Sequence, residues 1–222
     1  MATARSHLAE HGAAALSLRA MARDMNMAPS ALFRYTANRD ELLTALIVES
    51  FNELGDAVEA AEAEAQRLDH HARWQAMTSA FRHWAVTHPH DYALLYGSPV
   101  PDYRAPGEVT NHAGTRVLAL VAGLVRDVQG DASSAIRAHA TNPRSSTSDL
   151  APAAVRGLLD DPLVAGLPAE SVARAVAAWN LVLGSLSSEI FNQLGPEFGD
   201  PQARFTFMCD RAFELLDPST GP

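Results

Sequence analysis

Apolar residues recur at three- and four-residue intervals along almost the whole chain, and this pattern commits most of it to amphipathic α-helix. It is plainest over residues 38–64, where Leu43, Ile47, Phe51, Leu54, Val58 and Ala61 follow one another. It recurs over 168–194 with Val172, Val176, Trp179, Leu183, Leu186 and Ile190. No alternating Val, Ile, Thr or Tyr run bounded by turn residues is present, so strands have nowhere to start. The expected fold is all-α.

Punctuation divides the helices. Gly12 closes a short first one (3–11), and two more fall at 18–24 and 29–35. Asn38 can cap the long helix that follows, with Glu41 answering the Asn38 N–H in a capping box. A helix over 70–88 stops at Pro89, and a short one is expected over 91–96. GSPVPDYRAPG (97–107) excludes helix, which resumes over 108–128. Residues 129–151, with Asn142-Pro143, read as a long loop, and 153–159 as a short helix. Pro168 and Asp200-Pro201 open the last two helices, the first of them running to Leu194.

Composition narrows the class. At 222 residues the chain can bury a sizeable core, and 47% hydrophobic with 19% charged residues excludes a disordered protein. No window reaches the roughly 18 uninterrupted apolar residues of a transmembrane helix, and the N-terminus lacks a signal peptide's apolar core. A single cysteine, Cys209, rules out an intrachain disulfide or a Cys-based zinc site and is expected to be a small buried hydrophobe. A cytoplasmic protein is expected, with no membrane partner. The net charge is −9, with 17 arginines and no lysine. Residues 1–39 hold five arginines against two acids, +3, and the remainder carries −12. An acidic surface repels nucleic acid, so a nucleic-acid face belongs at the front of the chain.

That is where a motif lies. In SLRAMARDMNMAPSALFRYT (17–36) two short helices flank the turn Met25-Asn26-Met27-Ala28. Such a turn needs one residue in the left-handed region, and Asn26 suits it. Ala22, Met27 and Leu32 fall where the helices meet. The second helix opens with Pro29, Ser30 and Ala31, small enough to let its N-terminus approach a major groove, and continues with Phe33, Arg34 and Tyr35.

The stretch resembles the N-terminal domain of TetR-family transcriptional regulators. The likeness rests on Glu10-His11-Gly12, Ser17-Leu18-Arg19, Ala31-Leu32-Phe33-Arg34-Tyr35 and Asn38-Arg39-Asp40-Glu41-Leu42-Leu43, over roughly residues 4–48. Residues 74–103 resemble an actinobacterial branch of that family more loosely. Phe33 stands where the family commonly has Tyr, Thr36 where it commonly has Phe, and the first helix is one to two turns short of the usual. The resemblance implies a helix-turn-helix domain over 1–48 and a helical ligand-binding and dimerisation domain over 49–217. It implies phosphate contacts from Ser17 and Arg19, base edges met by Pro29, Ser30 and Ala31, and DNA contacts from Phe33, Arg34, Tyr35 and Arg39. It also implies a homodimer on a palindromic duplex, acting as a repressor that a small-molecule effector releases.

The rest of the chain offers candidates for effector and dimer. Trp74, Phe81, Trp84, Tyr92, Tyr96, Tyr103 and Trp179 could line one aromatic pocket among broken helices, suited to a neutral apolar or aromatic molecule. The helix from Asn38 would couple that pocket to the motif. Ala173, Ala177, Gly184 and Ser188 form a small-residue stripe, as a close helix–helix dimer contact requires. The nine histidines (7, 11, 70, 71, 83, 88, 90, 112, 139) show no metal-ligand spacing, so no metal or cofactor is expected. No nucleophile with a base and no paired carboxylates can be placed, so no residue is expected to be catalytic. Two alternatives stand: a small all-α enzyme or carrier using the aromatic pocket, and a helical interaction module without DNA binding.

Overall fold

A computed structural model describes residues 1–138 and 150–217. Among these the regular structure is entirely helical. The helices are α1 (Ala2–His11), α2 (Leu18–Asp24), α3 (Pro29–Leu32), α4 (Arg39–Glu64), α5 (His70–Thr87), α6 (Pro89–Tyr96), α7 (Gly107–Gly114), α8 (Arg116–Ala138), α9 (Ala151–Val155), α10 (Ala169–Ile190) and α11 (Pro201–Leu216).

Local chemistry explains most of the ends. Gly12, at φ 74°, closes α1 and returns its N–H to Leu8 O at 2.9 Å. Asp200 accepts from the N–H groups of Gln202 (3.0 Å) and Ala203 (3.2 Å), two of the donors a helix start leaves unpaired. Asn38 Oδ1 accepts from Glu41 N at 2.9 Å, as expected. The Glu41 carboxylate, however, accepts from Ala37 N (2.7 Å) rather than from Asn38, because Thr36 Oγ1 donates to Asn38 O and folds 36–38 into a turn.

Other boundaries differ from expectation. The helix expected over 108–128 is two helices. The Thr115 hydroxyl donates to Asn111 O at 2.8 Å and competes with the backbone where α7 ends at Gly114. α8 then continues to Ala138, into the stretch expected as loop, since a packed helix extends at little cost once nucleated. Asn142-Pro143 and His139 lie outside the described residues. α10 ends at Ile190 and not Leu194, because Asn192 adopts φ 49° and Gln193 N bonds back to Ser188 O.

The chain forms two compact units that do not follow chain order: Met1–Ala57 with His83–Arg116, and Val58–Arg82 with Val117–Pro222. The first is built on Leu8, Leu18, Met21, Leu32, Leu43 and Leu46, against which Leu94, Val100 and Tyr103 pack. Polar ties add to this core. Arg5 of α1 donates to Glu53 (2.7 Å) and lies 3.6 Å from buried Asp91, which accepts from the fully buried Ser50 hydroxyl at 2.6 Å. Burial alone would lower the Arg5 pKa, but the bond to Glu53 and the charges of Asp91, Glu53 and Glu49 raise it on balance. Arg116 bonds Asn52 and Asp56 across Gly55, where a Cβ would sit 2.8 Å from the guanidinium, so the position must be glycine for Arg116 to lie there.

The second unit packs α10 along α11 through Val182, Leu186, Phe205, Cys209 and Ala212. Trp74 is fully buried, its indole N–H donating to Cys209 O at 2.8 Å. Phe81 stacks on Trp179 with ring centroids 5.4 Å apart. Arg73, 1% exposed, bonds Glu62 and Asp127 at 2.7 Å each. A buried guanidinium left unpaired would cost several kcal/mol, roughly 3–5.

Candidate nucleic-acid interface

The first three helices make the site. Ser17 Oγ caps α2, accepting from Ala20 N. At the other end Asn26 takes φ 51°, Met27 N bonds Ala22 O (2.8 Å) and Asn26 N bonds Arg23 O (2.9 Å). This paired closure is a Schellman motif, and it reverses the chain in the few residues before α3. Pro29 begins α3, where its missing N–H costs nothing. Leu32 is buried in the core and pins the segment from beneath. Buried His7 on α1 meets Asp24 at 2.5 Å and ties α1 to the end of α2.

On this scaffold the motif residues face outward. Ser17, Arg19, Pro29, Ser30 and Arg34 are exposed, and Ala31 is half-buried. Phe33 is 45% and Tyr35 82% exposed, large apolar surfaces that a packed core would have claimed. α3 proper is four residues, shorter than the expected 29–35; Phe33–Tyr35 continue as turns held by Tyr35 N to Leu32 O at 2.9 Å. Arg39 is half-buried and braces the fold. Its guanidinium donates to Ala13 O (3.1 Å) and Ala14 O (3.0 Å), tying the α1–α2 connection to the start of α4. Arg23, one turn beyond Arg19 on α2, is exposed without an ion-pair partner among the described residues and extends the basic face. Its i, i+4 spacing from Arg19 was the signal available for it in the sequence.

The aromatic set is divided between the two units. Trp74, Phe81 and Trp179 belong to the second unit, and Trp84, Tyr92, Tyr96 and Tyr103 to the first. Trp74, Phe81, Trp84 and Tyr92 are buried as core. Tyr103 shares a hydrogen bond with Thr44 (2.9 Å) and Tyr96 packs edge-on to Phe51. Only Trp179 of the three in the second unit lines its cleft of about 190 Å³, between α8, α10 and residues 158–167. On α10, Ala177 and Gly184 are exposed and Ala173 and Ser188 half-buried, and a Cβ on Gly184 would meet nothing. Exposed Val176 and Leu181 lie beside them, and exposed Phe207 is on α11. No described helix is long and apolar enough to cross a membrane, and the described residues hold no metal-binding cluster.

An outward-facing helix-turn-helix on an all-helical body defines a DNA-binding transcriptional regulator. Comparison with known proteins specifies it further. Residues 74–212 match the family model for the tetracyclin repressor-like C-terminal domain. HTH-type transcriptional regulator Rv1816 of Mycobacterium tuberculosis (strain ATCC 25618 / H37Rv) is 37% identical over 201 residues, 87% of this chain and 80% of that protein. Among solved structures, the regulatory protein SCO4313 is similar at 27% identity and a TM-score of 0.70, over 94% of this chain and 90% of that one. A TetR-family regulator from Shewanella sp. PV-4 shares the fold at 18% identity and a TM-score of 0.58, over 98% and 94% of the two chains. The chain belongs to the TetR family of transcriptional regulators. Its relatives and fold are those of regulators, not enzymes.

Proposed function

We propose that the protein is a homodimeric repressor that reads a palindromic operator with residues 1–48 and is released by a small apolar or aromatic effector held within 49–217, in the cytoplasm. The observation that carries the reading is the exposed face of Pro29, Ser30, Phe33, Arg34 and Tyr35 on a segment pinned by buried Leu32. Solvent gains nothing from an aromatic ring held 82% exposed, whereas a duplex offers it bases, sugars and a phosphate backbone to contact. Arg19, Arg23 and Arg34 would supply phosphate contacts. One short recognition segment reads only a few base pairs, and a dimer doubles the readout. The small stripe on α10, exposed in the single chain at Ala177 and Gly184, supports that dimer. Release from repression follows if the effector binds the DNA-incompetent state more tightly, since equal affinity for both states shifts nothing. The experiment is selection of bound sequences from a random duplex pool. A palindrome with half-sites about one helical turn, ~34 Å, or a small multiple apart is expected. Binding without sequence preference at low salt would refute the reading.

A further inference from the structure

α10 presents three different faces. Ala178, Val182 and Leu186 are buried in the core. Ala173, Ala177, Gly184 and Ser188 form the small stripe. Val172, Val176 and Trp179 line the cleft. At 3.6 residues per turn, cleft face and stripe lie about a third of a turn apart on the same rod.

One wall of the cleft, residues 158–167, is shaped by its own turns and tied to α8 through Arg126. Asp161 accepts from Leu163 N at 2.8 Å, Leu167 N bonds Val164 O at 3.0 Å, and Arg126 of α8 donates to Leu163 O. The lining is apolar apart from Asp161 and Asn180 and contains no arginine or histidine. Asp161 is already committed to capping and is negative, so it repels an anion. The Asn180 carboxamide is exposed, has no hydrogen-bond partner among the described residues, and can donate to or accept from a guest. In size, about 190 Å³ compares with the roughly 150 Å³ of a dry apolar cavity that admits benzene.

We propose that this cleft takes a neutral molecule the size of one ring with one or two small substituents, and that α10 itself reads its occupancy. A guest pressing on Val176 and Trp179 turns or tilts the rod whose next face is the stripe, so the signal enters the dimer contact directly. This rests on the reading of the chain as a ligand-responsive dimeric regulator, and it names the site and class of the effector.

The test uses the full-length protein with p-cresol and its anionic counterpart 4-methylbenzoate. Calorimetry should show saturable p-cresol binding and at least tenfold weaker 4-methylbenzoate binding. Ala122→Leu, which fills the cleft from α8, should weaken p-cresol at least tenfold while the melting temperature is kept; Ala175→Leu does the same from α10 should the first variant fold poorly. In gel shifts on the selected operator, p-cresol should weaken binding of the wild type but not of the filled variant. No wild-type binding of p-cresol, binding untouched by both variants, or equal binding of 4-methylbenzoate overturns the site. Variant-sensitive p-cresol binding with unchanged operator affinity overturns the link through α10. Failure to bind any operator refutes the regulator reading instead, and the calorimetry still judges the cleft.

Discussion

Salt dependence measures how many arginines reach phosphate, and the arginines of the first 39 residues differ in how far they are already paired within the fold. Of the five in residues 1–39, Arg5 is held by Glu53, Glu49 and Asp91, and Arg39 by the carbonyls of Ala13 and Ala14. Arg19, Arg23 and Arg34 are exposed and unpaired among the described residues. A dimer therefore brings six such charges. Each neutralised phosphate contributes about −0.9 to the slope of log K against log salt, so the arginines contribute about −5.4 and affinity falls roughly 2,000-fold between 50 and 200 mM. Arg34→Ala removes two of the six, leaving a slope of about −3.6 and a fall of roughly 150-fold over the same range. Arg39→Ala should leave the slope alone but lower the melting temperature, since two carbonyls lose a charged donor worth about 1–3 kcal/mol. Fluorescence anisotropy on the selected operator at several salt concentrations, paired with thermal unfolding, reads both quantities. An unchanged slope for Arg34→Ala, or a slope about 1.8 shallower for Arg39→Ala with its melting temperature intact, would show that the assignment of free and committed arginines is wrong.

Three further outcomes are expected. Ala177→Arg adds a charge to a residue exposed in the single chain, so the protomer should fold normally yet run as a monomer in light scattering and lose operator binding; a persisting dimer assigns the stripe another role. Asn26→Val forces a β-branched residue to φ 51° and should cost roughly 1–2 kcal/mol in thermal unfolding, with Asn26→Gly nearly neutral; equal stability of the two variants contradicts the left-handed turn. Burial pushes the Cys209 thiol up to about 12, against the opposing hydrogen bond with Thr78, so at pH 8 alkylation should follow unfolding, and rapid labelling of the native protein would refute its burial.

Much of this molecule was legible from its residues. The helical period, the prolines, Asn26 in the left-handed turn and the outward motif over 17–36 are local matters, decided by steric preference and hydrogen bonding within a few positions. Boundaries that hinge on a competing side chain escaped the periodicity, as at Thr115 and Asn192. Position along the chain also concealed which residues pack together. Residues 83–116 lie far from the helix-turn-helix in sequence, yet Asp91, Tyr103 and Arg116 join its unit through Ser50, Thr44 and Asp56. The bonds of Arg39 to the carbonyls of Ala13 and Ala14, 26 and 25 positions away, could not be read in order along the chain. The seven aromatics are divided between the two units, and Trp74, Phe81, Trp84 and Tyr92 are buried as core, which their order along the chain did not reveal. Period and turn preference act between near neighbours and can be read in order along the chain; cavities, charge pairing and the sharing of a core depend on separations in space that only the folded chain creates.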